Sequence, residues 1–386
     1  MRAHRLGRLR AELARRDLGA CVLFDPSNIR YASGSRNMHI YTLRLPLRYL
    51  FVPVTGPVIL FDYFGSEHLA SGLELISEVR PAVPWDLASA GEQGGKRVKR
   101  FAREILDLMH RHCGNNRRLA LDMFDHRAAK ALETEGAMVS SVEEPMEMAR
   151  QVKSADEIAC MSMGIAVCET ALSRMRTALE PGITENQLWS ILHQTNIAMG
   201  GEWIETRLLN SGGRTNPWFQ EASDRVIREG DLVAVDTDLF GPFGYGCDMS
   251  RTWLCGSSRP TAEQRRLYQL AHENIEYNIG QVKAGMTFRE LVEKSWRLPD
   301  EFVPRRYSKI AHGVGVGFEF PNIPYRQDWA EYGYGGVIQE NMVLCIESYI
   351  GREDGAEGVK LEQQVLVTGR GVQLLTTYPF DADLLA

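Results

Sequence analysis

What the sequence lacks narrows its function before any motif is read. It has no excess of positive charge: 44 Lys and Arg stand against 50 Asp and Glu, a net charge of −6, which argues against nucleic acid as the main partner. It has no apolar run long enough for a membrane span. The longest, residues 49–61, is interrupted by Pro53, Gly56 and Pro57 and reads as two strands around a turn. The seven cysteines (Cys21, Cys113, Cys160, Cys168, Cys247, Cys255, Cys345) are odd in number and lack C-x-x-C spacing, in a chain of 386 residues that needs no disulfide staples. A reducing, cytoplasmic compartment is expected. No glycine-rich phosphate loop and no solenoid-length repeat is visible. An apolar fraction of 44% with 24% charged residues excludes disorder and collagen-like repetition, and at this length two domains are expected.

Residues 1–148 mix helix and strand signals. Leu6, Leu9 and Leu13 recur at helical spacing among arginines, giving a domain-opening helix, with a targeting peptide as the other reading of the same segment. Strands are expected near 20–24, 48–53, 57–62 and 119–121, and a helix over 98–112. The stretch 88–95 (ASAGEQGG) reads as a flexible connection. The pattern changes after residue 148, where Ser154 with Glu157 three later is a capping-box start for a long helix. Further helices are expected over 185–199, over 262–283 and from about 287.

Between these helices lie strands that carry acids where a strand should be apolar. Residues 231–240 (DLVAVDTDLF) contain Asp236 and Asp238, two apart and therefore on one face of a strand. A wide hairpin through Gly241, Pro242, Gly244 and Gly246 returns into Asp248. Acids at strand ends are also common turn residues that bind backbone N–H groups, and both readings stand at this point. Glu347 and Glu362 tilt the balance, because each sits inside an apolar strand where an unpaired charge is very costly. His312 opens a glycine-rich strand (HGVGVG) that permits close backbone approach. Carboxylates in excess, one imidazole and no adjacent thiolate suit two divalent ions such as Mn, Fe, Co or Zn, bridged by a carboxylate.

The order Asp, Asp, His, Glu, Glu comes with GYGCDMSRTW (244–253), HGVGVGFEFP (312–321), IES (346–348) and GVKLEQQVLVT (358–368). It resembles the pita-bread superfamily of methionine aminopeptidase, aminopeptidase P, prolidase and creatinase. LGACVLFDPSNIRYASG (18–34) is similar to the creatinase-type N-terminal domain. The resemblance implies an α+β protein: a smaller α/β creatinase-type domain over 1–148, then a pita-bread catalytic domain over 149–386. It implies two divalent metal ions held by Asp236, Asp248, His312, Glu347 and Glu362, with Asp248 and Glu362 as bridges. Asp238 is not a ligand position in the peptidases. An Asp-x-Asp followed by Asp ten residues later is similar instead to the branch containing dimethylsulfoniopropionate lyase, which releases dimethyl sulfide and leaves acrylate. That likeness adds Asp238 as a ligand and Tyr307, five residues before His312, as a pocket residue.

The sequence departs from both branches. Peptidases of this fold carry a histidine ahead of the first Asp ligand and another seven residues after the His ligand; here those regions read NPWFQE (216–221) and Glu319. A base proposed for the lyase falls at Phe318. Two readings of function follow. One is a lyase-like enzyme on a small zwitterion, with Tyr307 or a metal-bound hydroxide removing the α-proton and with Trp218 and Phe318 as an aromatic wall for an onium group; plain core packing is the competing reading of those two aromatics. The other is a metal-dependent hydrolase of Xaa-Pro peptides or small amides, with Glu319 or Glu347 relaying protons. A binding protein without activity is disfavoured, because buried acids are costly to keep without a cation. Creatinase-type relatives are homodimers, so Arg36 and His39, in the polar loop after NIRYASG, are expected to reach a partner's pocket and bind an anionic group.

Overall fold

The arginine-rich start of the chain is a helix, Arg2–Arg15, because Leu6, Leu9 and Leu13 form one buried stripe. Its arginines serve the fold. Arg8 donates to the carbonyls of Ala149 (2.6 Å) and Met148 (3.1 Å), neutralising the negative end of helix Glu143–Arg150. Arg10 binds the carbonyls of Pro53 and Gly56. The structure, a computed structural model, describes residues 1–123 and 125–386. Its contacts divide it into two units, Met1–Arg150 and Gln151–Ala386.

The first unit is built on six strands: β1 (Ala20–Leu23), β2 (Tyr49–Pro53), β3 (Val58–Asp62), β4 (Ile76–Pro81), β5 (Arg118–Leu121) and β6 (Met138–Ser141), in the order β4-β3-β2-β1-β5-β6. β1 pairs antiparallel with β2 and parallel with β5, a mixed sheet. Helix Gly94–His112 lays Val98, Phe101, Ile105 and Met109 against Val22, Tyr49 and Phe61. Each such burial contributes about 1.5–3 kcal/mol. The stretch 88–95, expected to be a flexible connection, is instead ordered. Asp86 accepts from the Ser89 N–H and starts helix Leu87–Ala90, a 3-10 turn follows, and the long helix begins at Gly94, four residues before its first buried side chain.

In the second unit four helices, Ala155–Ala178, Glu185–Ala198, Ala262–Gln281 and Phe288–Lys294, each open with a capping box, at Ser154, Thr184, Thr261 and Thr287. Each cap contributes about 1 kcal/mol. Against the expectation that no segment is apolar enough for a membrane span, the helix Ala155–Ala178 passes by length and composition, its few charges being spread among apolar residues; Met161, Ile165, Cys168 and Leu172 are nevertheless buried within this unit. The helix's close approach to the following hairpin needs glycine at 241: a Cβ on Gly241 would sit 2.5 Å from the Gly164 Cα.

The strands are β7 (Trp203–Ile204), β8 (Leu209–Ser211), β9 (Leu232–Asp236), β10 (Leu239–Phe240), β11 (Gly246–Cys247), β12 (Ser250–Leu254), β13 (Ala311–Val314), β14 (Phe318–Ile323), β15 (Val343–Gly351), β16 (Gly358–Thr368) and β17 (Gly371–Leu374). They form sheets β11-β10-β7, β12-β9-β8 and β14-β13-β15-β16-β17. Side chains tie β12 to β16. The Thr252 hydroxyl donates to the Lys360 carbonyl (2.8 Å) and accepts its N–H (3.1 Å). Arg251, fully buried, donates to the Glu362 carbonyl (2.8 Å) and to Gln363 Oε1 (2.8 Å).

Candidate metal centre

The expected continuous strand over 231–240 does not form. β9 ends at Asp236 and β10 resumes at Leu239, because Asp238 adopts a left-handed backbone with φ of 37°. The register survives the break: Asp236 pairs with Ser250 and Leu239 with Cys247, which sets Asp238 opposite Asp248. The Asp238 N–H donates to Asp248 Oδ1 (3.3 Å). A left-handed residue other than glycine stores strain, as functional sites often do. Oxygens of Asp236, Asp238 and Asp248 converge within 4.8 Å of one another.

The other acids arrive on the second sheet. Glu347 on β15 is paired directly with Glu362 on β16, an arrangement of like charges that is unfavourable without a cation. His312 on β13 brings Nε2 to 3.2 Å from Glu347 Oε1 and 3.6 Å from both Asp248 Oδ2 and Glu362 Oε1. Its Nδ1 lies 3.0 Å from the Gly313 carbonyl. Donation from Nδ1–H there makes Nε2 the nitrogen that offers its lone pair once the ring is neutral. Glu362 Oε1 is a buried acceptor without a hydrogen-bond partner, which a cation would satisfy.

A residue that sequence reasoning passed over lies in the middle. The Lys360 ammonium, fully buried, is 2.7 Å from Glu347 Oε2, 3.1 Å from Asp236 Oδ2, 3.4 Å from Glu362 Oε2 and 2.7 Å from Ser250 Oγ. The Ser250 hydroxyl in turn lies 2.8 Å from Asp236 Oδ1 and 2.9 Å from Glu362 Oε2. The available signal was a lysine two residues before Glu362 in the same strand, on the same face by alternation.

The electrostatics follow this crowding. Burial and then the Asp236 charge push the Asp238 carboxyl up to about 8. Burial and Glu362 push Asp248 well above the carboxylate range. Asp236 is the exception: burial opposes its charge, but Lys360 and the Ser250 hydroxyl outweigh it and hold the group low. Burial disfavours a charged His312, yet Glu347 and Glu362 overcome it and push the imidazole up to about 9.

The aromatic residues border this cluster. The Lys360 ammonium stands 4.8 Å from the Tyr307 ring and 5.7 Å from the Trp218 ring. Tyr307 stacks on Phe219 at 5.3 Å, and Phe219 too has a left-handed φ, 68°. Phe318 meets the His312 ring edge-on at 5.8 Å. Burial, then Glu347, pushes the Tyr307 phenol well above its usual range. Glu319 is turned elsewhere. It forms a buried ion pair with Lys153 (2.8 Å) and accepts the Val316 N–H (2.9 Å). Asn216 donates to the carbonyls of Arg352 and Gly355. Arg36 and His39 lie in the first unit, in and just after the segment linking helix Pro26–Ser33 to helix His39–Thr42.

Comparison with known proteins places these features. The chain is 39% identical to dimethylsulfoniopropionate lyase DddP of Roseovarius nubinhibens, over 100% of this chain and 87% of the relative. It is 36% identical to the protein of the same name from Roseobacter denitrificans, with the same coverage. Solved structures share the fold. An Xaa-Pro dipeptidase from Bacillus anthracis superposes with a TM-score of 0.78 at 19% identity, covering 99% of both chains. The prolidase from Pyrococcus furiosus gives 0.75 at 21% identity, covering 95% of this chain and 99% of that one. Residues 5–152 match the creatinase/prolidase N-terminal domain and residues 159–369 match metallopeptidase family M24, whose enzymes use divalent metals. The chain therefore belongs to metallopeptidase family M24 and carries that family's creatinase-type domain ahead of its catalytic one.

Proposed function

We propose that the protein is a metal-dependent lyase that eliminates a sulfide from a small zwitterionic sulfonium carboxylate such as dimethylsulfoniopropionate. The reading is carried by the 39% identity to a lyase of that name across the whole chain, and Asp238, converging with Asp236 and Asp248, supports it. Asp236, Asp238, Asp248, Glu347 and Glu362 set against Lys360 leave four negative charges when all are ionised. Two divalent ions would neutralise them, whereas one would leave two buried charges uncompensated. Asp248 belongs to both groups of converging donors, which supports it as a bridge; Glu362, between His312 and Lys360, is the second.

When bound, the ions would hold the substrate carboxylate and make its α-hydrogen more acidic. Tyr307 Oη, once its phenol has given up its own proton to solvent, accepts the α-proton as the phenolate; the C–H electron pair becomes the carbon–carbon double bond, and the carbon–sulfur bond breaks with its electrons on sulfur, giving dimethyl sulfide and acrylate. The faces of Trp218 and Tyr307 turned to Lys360 are already engaged by a cation. Phe318, beside His312, offers the sulfonium an aromatic surface. Peptide hydrolysis draws less support, because Asn216 and Glu319 are committed to internal partners. The free thiols of all seven cysteines support a reducing compartment. The test is direct. Metal-loaded protein incubated with dimethylsulfoniopropionate should release dimethyl sulfide into the headspace. No release with Mn, Fe, Co or Zn, together with cleavage of Xaa-Pro dipeptides, would replace this reading with the hydrolase.

A further inference from the structure

Cys345 lies inside the cluster but has no part in the reading above. It precedes Glu347 by two residues on β15 and so shares its face. Its backbone pairs with His312 on one side and with Gln364 on the other. The sulfur, a His312 ring nitrogen and one oxygen each from Asp248 and Glu362 all lie within 4.8 Å of one another. That approaches the span of two metal–donor bonds of about 2.0–2.3 Å each. Other buried thiols differ: Cys168, Cys247 and Cys255 belong to an apolar core cluster.

Two further atoms point at the same place. Glu362 Oε1 has no donor within hydrogen-bond distance, the His312 Nε2 standing 3.6 Å away, and Gln364 Nε2 is a donor with no acceptor, both on fully buried side chains. The first suits a cation. The second lies on the residue directly across from Cys345, within side-chain reach, and an N–H there suits a metal-bound sulfur, whose negative charge makes it an acceptor.

We propose that Cys345 is a direct sulfur ligand of the ion held by Asp248, His312 and Glu362. This half of the centre is then a mixed nitrogen, oxygen and sulfur site that selects zinc, cobalt(II) or iron(II), while the carboxylate half formed by Asp236, Asp238 and Asp248 takes a harder ion such as manganese. On binding, the thiol proton passes to water and the sulfur lone pair takes a coordination position. The proposal rests on the cluster being a metal centre, and the experiment separates the two. Chelator-treated protein titrated with cobalt(II) should develop a near-ultraviolet sulfur-to-cobalt charge-transfer band. The band should persist in Cys247→Ala and vanish in Cys345→Ser, whose zinc affinity should fall about 10–100-fold with manganese affinity little changed. X-ray absorption on the zinc-loaded wild type should show a sulfur scatterer at about 2.3 Å, which decides the matter even if Cys345→Ser does not fold. Cobalt or zinc bound without a sulfur signature, or a band that survives in Cys345→Ser, overturns sulfur ligation and leaves the metal centre standing. Failure of the wild type to bind any of these ions overturns both.

Discussion

Replacing Lys360 with Met keeps the length of the side chain and removes its charge, and the structure sets what should follow. The ammonium is within 3.4 Å of carboxylate oxygens on three residues, Asp236, Glu347 and Glu362, with no solvent access. Removing one partner from a buried ionic group costs about 3–5 kcal/mol, since the charges left behind are uncompensated. For a unit the size of Gln151–Ala386, each kcal/mol lowers the melting temperature by about 2–4 °C. Metal-free Lys360→Met should therefore melt roughly 6–20 °C below the metal-free wild type. Divalent ions would neutralise the same carboxylates, so the gap should narrow on adding Mn or Zn, and Lys360→Arg should recover part of the loss. Calorimetry with and without chelator measures all of this. A metal-free Lys360→Met that melts within about 2 °C of wild type would refute the reasoning, because it would mean that Asp236, Glu347 and Glu362 are already neutral, or balanced by His312, without the ammonium.

Four other outcomes are expected. His312, pushed up to about 9, and Asp238, pushed up to about 8, both hold protons at pH 7 in the metal-free protein; metal uptake should therefore release more than one proton, measurable by titration calorimetry in buffers of different ionisation enthalpy, and affinity should rise with pH up to about 9. Tyr307→Phe should lower kcat by about 10²–10⁴-fold with metal content unchanged, and because the phenol is held protonated, wild-type activity should climb toward alkaline pH; a rate falling above neutrality counts against Tyr307 as the base. Asp238→Ala should lose metal and activity as fully as Asp248→Ala or Glu362→Ala, by elemental analysis and headspace assay, whereas a milder loss would place Asp238 outside the ligand set. Light scattering should give a homodimer, and Arg36→Ala should raise KM without changing metal content; a monomer, or unaltered kinetics, would remove the loop from the site.

Much of the centre could be read from residue type and position. A carboxylate inside an apolar strand is costly enough to demand an explanation, and Glu347 and Glu362 stand out for that reason. The capping box at Ser154 marked the long helix because its two side chains satisfy backbone groups three residues apart. Other features were hidden by tertiary context. β4 and β6 are edge strands with exposed, polar positions and lack the apolar signature. The helical start at Leu87–Ala90 depends on Asp86 in a segment rich in glycine and small residues. The break at Asp238 cannot be inferred from alternation, because the register continues across it. Lys360 carried no expectation, and the expectation of no thiolate near the acids is wrong, because the pairing of β13, β15 and β16 brings Cys345 to them.

The Glu319 to Lys153 pair has a consequence for how this chain could change. Position 319 is where the peptidases of the fold carry a histidine, yet here its carboxylate neutralises a lysine that is 3% exposed. A Glu319→His change alone would take away the carboxylate 2.8 Å from that buried ammonium, and losing one partner of a buried ion pair costs about 3–5 kcal/mol, so the intermediate would be destabilised before it gained any hydrolytic use. A route back to peptide cleavage needs Lys153 to change first or together, to a neutral side chain of similar volume. Glu319→His should therefore fold poorly by itself and recover with Lys153→Met, which makes two residues far apart in sequence a single inherited unit.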